Sequence, residues 1–432
     1  MKRSIRLVIG AVCAVLLLIS WFVTVSAEST TEKQIALMRQ AAELINDGIY
    51  IRAVPLLEEA AGYNAAHTFA AEEMLKRTYL ALLDNRGFSR RYLSLLERQM
   101  SRRDASSCIF AEAANFYLSV SRTTEALRIL RAGIERTRCD ILTDMYERNR
   151  YAIEMSRTSF DYIAPIHNST VQVKKDGFWG IARANGTILI PTMYDKISTF
   201  CGDRVIVMKD GEVFAVDRDN NRIAFMRGNV TDIGNLAENR IPVKINENWQ
   251  RATGELVIGN AVFEALGTYS GGFAAAKLDG KWGVIDFGTR WLVYPEYDRI
   301  IMDELARCYG QGAVFAQRGD VVYLYINGQK QSETFEDARP FTTENYAAVK
   351  RHWKWGFVDT TGMLVIEPIF DDAMSFSQHL AAVKINDFWG YISIYGQVVI
   401  DPAFLEAKSF SNGSAPVLTE RGWQFITLLE YK

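Results

Sequence analysis

Tryptophan followed by glycine recurs at a nearly constant interval through the last two-thirds of this 432-residue chain. The full pairs are Trp179-Gly180, Trp282-Gly283, Trp355-Gly356 and Trp389-Gly390. Aromatic residues at Phe214, Trp249, Tyr323 and Trp423 continue the spacing, giving intervals of 35, 35, 33, 41, 32, 34 and 34 residues. A period of this size means one supersecondary unit copied in tandem, each copy burying its apolar face against its neighbours. Repeat scaffolds present surfaces more often than they house a catalytic centre, so the chain reads as a binding protein.

Residues 160–432 read as short apolar alternations separated by Gly, Asn and Asp, the composition of strands and turns. Eight units start near residues 160, 194, 229, 261, 297, 333, 369 and 403, and the last stops after its Trp423 strand. The second and fifth lack the tryptophan, and the third follows Trp249 with Gln250. Tryptophan brings a large buried area to a small unit. The glycine after it marks a bulge or a close approach. Gly186, Gly362 and Gly396 suit tight hairpin turns, while Pro191, Pro295, Pro368 and Pro402 end strands without needing a ladder donor. Asp161, Asp195, Asp298 and Asp371 are expected to bond local backbone in turns.

The unit from Ile369 to Pro402 shows the wording most fully. It runs Ala381-Ala382-Val383-Lys384, a turn at Asn386-Asp387, Phe388-Trp389-Gly390-Tyr391-Ile392, Gly396, then Val398-Val399-Ile400 and Pro402. This closely resembles the Trp-Gly (WG) repeat family of bacteria. The resemblance implies a structural role for Trp179, Gly180, Trp249, Trp282, Gly283, Trp355, Gly356, Trp389, Gly390 and Trp423. It implies fold and class more than any activity. Eight units of three or four strands suit a propeller-like ring, which protects strand edges; an open β-solenoid-like array is the alternative.

Residues 32–157 are dense in Ala, Leu, Glu and Arg, with apolar residues at helical spacing such as Leu37, Ala41, Leu44 and Ile45. The stretch from Ala41 to Ala60, with a turn at Gly48, Tyr50, a small Ala53 and then Leu56 and Leu57, resembles a tetratricopeptide repeat. Weaker copies run through Tyr79, Gly87, Phe88 and Tyr92, and through Phe116, Ala126 and Leu130. Residues 141–156 are expected to supply a last capping helix. Such an array offers a groove to a peptide or partner helix, or serves as a spacer. Arg90, Arg91, Arg102, Arg103, Arg128 and Arg131 either line a groove for an acidic peptide or form a solvated face. The expected class is therefore α+β multidomain, a tetratricopeptide-like helical domain followed by an all-β repeat domain.

Residues 1–27 have the layout of a secretion signal: Lys2, Arg3 and Arg6, an apolar run over 7–25, and small residues at Val25-Ser26-Ala27. The run is long enough to remain as a membrane anchor. Either outcome places the rest outside the cytoplasm, secreted or anchored at the cell envelope. The 49 basic and 51 acidic residues balance, which argues against nucleic-acid binding. Cys108, Cys139, Cys201 and Cys308 match no zinc spacing; Cys108 and Cys139 either pair or stay free.

Four scattered histidines, and the absence of HExxH, GxSxG, P-loop and GxGxxG patterns, point to no catalytic residues, no metal and no cofactor. The expected function is a non-catalytic scaffold of the cell envelope that binds a protein or peptide partner. The alternative is a binder of cell-wall glycan, and an enzyme sited at a repeat junction ranks below both. Candidate ligand-binding aromatics are Trp353, Trp291, Phe388 and Phe178. Trp353 is expected to share a strand face with Trp355, two residues on.

Overall fold

The computed structural model describes residues 29–429 except 64 and 227. The expected signal or anchor over residues 1–27 lies outside the described residues. The chain divides into a helical unit ending at Tyr146 and a β unit starting at Glu147. No described helix is long and apolar enough to cross a membrane.

Among the described residues the helical segment holds seven helices: α1 (29–46), α2 (Tyr50–Gly62), α3 (Thr68–Ala81), α4 (Phe88–Ser101), α5 (Ser107–Ser119), α6 (Thr123–Thr137) and α7 (Asp140–Asn149). Gly48 and Gly87 take the positive φ that the turns before α2 and α4 require. Buried stripes recur at helical spacing, as with Ala53, Leu57, Ala60 and Ala61 on α2 and Tyr92, Leu95, Leu96 and Gln99 on α4. Gly133 of α6 is a packing glycine: a Cβ there would lie 2.9 Å from Phe110 and 2.7 Å from Leu142. The expected capping helix stops at Asn149, and the chain continues into a strand, Ile153–Met155.

The β unit is an eight-bladed propeller of four-stranded antiparallel sheets. Blades 1 to 7 span Tyr162–Tyr194, Lys196–Phe225, Val230–Phe263, Ala265–Tyr297, Arg299–Phe335, Asp337–Phe370 and Asp372–Phe404. Strands are named a to d in chain order within each blade. Blade 8 takes strands a to c from Glu406–Leu428 and its strand d from Ile153–Met155, which pairs antiparallel with strand c as Ile153↔Leu428 and Met155↔Ile426. The eighth unit is thus completed by the segment that precedes the first, and the ring closes. Further bonds hold this seam: Ser156 N–H donates to Phe425 O at 2.7 Å, and Phe160 and Trp423 exchange both backbone bonds.

Strands b and c are covered on both faces by neighbouring blades, so they read as continuous apolar runs rather than alternations. Ala381, Ala382, Val383, Tyr391 and Ile392 are all fully buried. The tryptophans fill the spaces between consecutive blades: Trp355 packs with Ala373, Phe376 and Val383 of blade 7, and Trp389 with Ala407, Phe410 and Ala415 of blade 8.

Strand register corrects two positions of the repeat. In the hairpin between strands b and c, Lys174 pairs with Trp179 and Val173 with Gly180. The equivalent pairs in blade 2 are Met208↔Val213 and Val207↔Phe214, and in blade 5 Gln317↔Val322 and Ala316↔Tyr323. Phe214 and Tyr323 therefore occupy the glycine position, and Val213 and Val322 replace the tryptophan. Successive strand residues face opposite ways: Phe214 packs with Ile181 and Tyr194 of blade 1, whereas Val213 packs with Val230 and Ile233 of blade 3.

The glycine itself answers to strand d. In blades 1, 4, 6 and 7 the register of strands c and d slips opposite the glycine, where strand d bulges inward at its proline. A Cβ on Gly180, Gly283, Gly356 or Gly390 would lie 2.5 Å from a carbonyl oxygen of that strand. Blades 2, 3 and 5 have no proline in strand d and carry Phe214, Gln250 and Tyr323 instead.

Candidate functional site

Strand a is innermost. Strand d is the most exposed strand of its blade, with Tyr294, Ile369 and Val398 on the rim, and a segment that follows strand a in blade 5 reaches blades across the ring. That segment explains the 41-residue interval. Between strands a and b of blade 5, residues 303–307 form a tight turn. Asp303 Oδ1 accepts the N–H groups of Leu305 and Arg307, both at 2.9 Å, and its Oδ2 takes Arg307 Nε at 2.8 Å. The same device closes the turn between strands c and d of blade 4, where Asp286 holds Gly288 N, Arg290 N and the Arg290 guanidinium.

This turn spans the channel. Leu305 is 2% exposed within the cluster that holds Ala164 and Ile166 of blade 1, which stands four blades away. Its carbonyl accepts from Asn235 of blade 3 at 3.2 Å, and Ala306 O accepts from Thr268 N of blade 4 at 2.9 Å. Glu304 receives Lys408 Nζ of blade 8 at 2.5 and 2.6 Å, together with the hydroxyl of Tyr162 of blade 1. The Lys408 side chain is 2% exposed. Arg307 donates to His167 Nδ1 at 3.2 Å. Burial and the neighbouring guanidinium push the imidazole of His167 down to about 4, which leaves it neutral at pH 7. Burial and the bond to Glu304 raise the Tyr162 hydroxyl. Repeat-breaking ionisable groups thus converge on the axis, a cluster that no local sequence pattern announces although the long interval marks its place.

Beside this cluster, against blade 1, lies an open recess of 630 Å³ lined by Asp161, Tyr162, Lys174, Gly177 and Trp179. Tyr162 meets Trp179 edge-on at 5.7 Å and Trp423 at 5.8 Å. Trp179 is half-buried, as are Trp249 and Trp282, whereas Trp355, Trp389 and Trp423 are buried.

The sequence-based ligand candidates do not come together. Trp353 is 81% exposed but lies in the two-residue turn His352-Trp353, where both residues have positive φ, not on the strand with Trp355. A two-residue hairpin loop needs that conformation, so Trp353 stands at a hairpin tip with Lys350 Nζ 5.6 Å above its ring. Phe178 and Phe388 hold equivalent exposed positions at the start of strand c, at 47% and 45% exposure. Trp291 is half-buried and packs with Phe263, Leu266 and Tyr269. Phe178 alone adjoins the recess, next to Gly177.

In the helical unit, Glu58, Leu75, Tyr79, Arg90, Arg91, Ser94, Leu95 and Arg98 line a 470 Å³ groove. Of the arginines singled out from the sequence, Arg90 and Arg91 reach it. Arg102 is engaged elsewhere, at 2.6 Å from buried Glu72. Cys108, Cys139, Cys201 and Cys308 are free thiols, and burial pushes Cys308 up to about 12. Among the described residues no cluster of His, Cys, Asp and Glu is set to hold a metal ion.

The family described as WG containing repeat matches residues 179–212, 253–282, 355–387 and 389–423. No curated protein matches the chain. Among solved structures, the chain is similar to a eukaryotic initiation factor, with 12% identity over 58% of this chain and 78% of that one, at a TM-score of 0.41. It is also similar to the Myceliophteria thermophila Cps50 (Swd1) β-propeller domain, at 13% identity, 64% and 99% coverage and a TM-score of 0.35. The Neurospora crassa Pan2 WD40 domain gives 11%, 66%, 95% and 0.34. The matched segments begin at or end on the blade-interface tryptophans, and the chain carries WG-containing repeats arranged as an eight-bladed propeller that follows a helical unit in the sequence.

Proposed function

We propose that this protein is a non-catalytic recognition scaffold: the propeller displays a protein-binding face, and the helical unit holds a segment of a partner. One observation carries the reading. The ionisable groups that converge on the propeller axis are consumed by one another, Glu304 by Lys408 and Tyr162, and Arg307 by Asp303 and His167. Recognition then falls to the outward surfaces, where Trp353 is the aromatic residue among the tips of the b–c hairpins. Large exposed aromatics of this kind anchor protein interfaces.

The groove of the helical unit supports an acidic segment as its occupant. Arg91 pairs with Glu58 at 3.1 Å and Arg98 stands 3.8 Å from Glu72, which leaves Arg90 as the unpaired cation there among the described residues, over an apolar floor of Leu75, Tyr79 and Leu95. The tetratricopeptide-like character of the hairpins fits this use. The layout of residues 1–27 supports placement at the cell envelope, exported or anchored.

A photo-cross-linking side chain placed at position 353 or 90 of the full chain, in producing cells, tests the proposal. Discrete protein adducts at both positions are expected. Their absence at both positions overturns it.

A further inference from the structure

Three features define the recess on blade 1. The first concerns the acid before strand a. Five blades use this acid to clamp the tip of their own b–c hairpin. Asp195 accepts Asp210 N at 2.8 Å, Glu264 accepts Gly280 N at 2.9 Å, and Asp298 accepts Gly319 N at 2.8 Å. Glu336 takes both His352 N and Trp353 N, and Asp371 takes Asn386 N. In blade 1 the equivalent Asp161 is exposed, and among the described residues its carboxylate has no partner.

The second concerns Lys174. Lys174 and Asp161 line one recess without pairing; the equivalents of Lys174 vary, Lys277 standing 3.7 Å from the clamp acid Glu264, Lys384 3.5 Å from Asp387, and Lys350 over the Trp353 ring. The Lys174 ammonium sits 5.6 Å from the Trp179 ring. The third concerns Tyr162, whose place in the other blades is taken by Lys196, Asp232, Ala265, Arg299, Asp337, Asp372 and Glu406. Only here is it an aromatic ring, and the bond to Glu304 fixes that ring in place.

We propose that this recess binds a neutral saccharide unit. The half-buried indole of Trp179 offers apolar surface for the C–H face of a sugar ring, with Tyr162 set edge-on beside it and the Lys408 ammonium over the Tyr162 ring at 5.0 Å. Asp161 accepts hydrogen bonds from its hydroxyls, and Lys174 donates to them. With one unpaired anion and one unpaired cation the recess is close to neutral, so a singly charged ligand gains at one group what it loses at the other. The recess is open to solvent, so it takes one face of a sugar ring rather than enclosing it. The turn at 303–307 acts as a positioning element that holds Tyr162, which preorganises the site. This site is independent of the protein-binding reading and stands or falls separately.

Isothermal titration of the full chain with chitotriose, cellotriose and maltotriose tests the proposal, with glycine and lysine as zwitterionic probes. Saturable binding of at least one trisaccharide is expected. Asp161→Ala and Lys174→Ala should each weaken it by roughly tenfold or more, the usual effect of losing a charge-assisted hydrogen bond. Neither side chain has a hydrogen-bonding partner among the described residues, so both variants should keep the parent melting temperature. Three results overturn the proposal: no trisaccharide binds, binding is equal in the parent and both variants, or only the zwitterionic probes bind.

Discussion

Gly390 and Pro402 face each other across strands c and d of blade 7, and a Cβ on the glycine would lie 2.7 Å from the proline nitrogen and 2.5 Å from Ile400 O. No rotamer relieves contact with backbone, so strand d must move or the bulge must be lost. Gly390→Ala is expected to destabilise the propeller by about 1–3 kcal/mol, the range for overpacking. Gln250→Ala, at the matching position of a blade without the proline, is expected to stay within about 0.5 kcal/mol. Denaturant unfolding of the two variants beside the parent checks this; equal losses would break the link between glycine and proline.

Tryptophans two residues apart have opposite roles here. Trp355 is buried between blades 6 and 7, and Trp353 stands in solvent at the hairpin tip. Trp355→Ala is expected to cost about 3–5 kcal/mol, and Trp353→Ala less than about 0.5 kcal/mol. Calorimetry on both variants separates the two environments, and similar melting temperatures would contradict the assignment.

The repeat period and the strand-turn composition made the eight units legible, because every blade needs the same buried face and the same tight turns. The Trp-Gly pairs located four blades directly. Phe214 and Tyr323 keep the period but stand one residue past the tryptophan position, because aromatic identity is visible in a chain, whereas the face of a strand is fixed only by pairing. The outer strand of blade 8 was not legible: Ile153–Met155 is too short to signal a strand, and its partner lies more than 270 residues away. The axial cluster left one trace, the 41-residue interval, but its partners Tyr162, His167 and Lys408 come from other blades and share no local pattern. Asp161 looked like its repeats, and only the missing clamp sets it apart.

That seam gives a truncation test. Residues 147–432 contain all 32 strands of the propeller, whereas residues 160–432 lack the strand that pairs with Ile426 and Leu428. The longer fragment should unfold cooperatively, and the shorter should melt lower and aggregate through the bared edge of strand c. Light scattering during a thermal ramp reads both effects. Indistinguishable ramps would mean that closure contributes nothing.

His167 predicts a pH dependence with a definite sign. Its folded pKa of about 4 lies below the ordinary value of 6.5 because burial and Arg307 oppose its charge. Below pH 6.5 the unfolded chain takes up a proton that the folded chain refuses, so stability falls with pH between 6.5 and 4 and levels off below that. The full shift corresponds to at most on the order of 3 kcal/mol. His167→Gln should flatten this part of the profile, read as melting temperature between pH 4 and pH 7. An unchanged slope in the variant would assign the effect to other groups.

Glu304 and Lys408 form the most deeply placed ion pair of the axis, and the two members are not equivalent. The Lys408 side chain is 2% exposed, and its one other acid, Glu406, stands 3.8 Å away. Glu304 also accepts from Tyr162. Glu304→Ala leaves the buried ammonium with the more distant Glu406 and the rings of Tyr162 and Trp423 and is expected to cost about 3 kcal/mol, whereas Glu304→Ala with Lys408→Met removes the stranded charge and should recover most of that loss. Unfolding midpoints of the parent, the two single variants and the double variant form the cycle that measures it. A double variant as unstable as Glu304→Ala would mean that the cost comes from releasing Tyr162 rather than from the charge. In that case Tyr162→Phe alone should reproduce the loss.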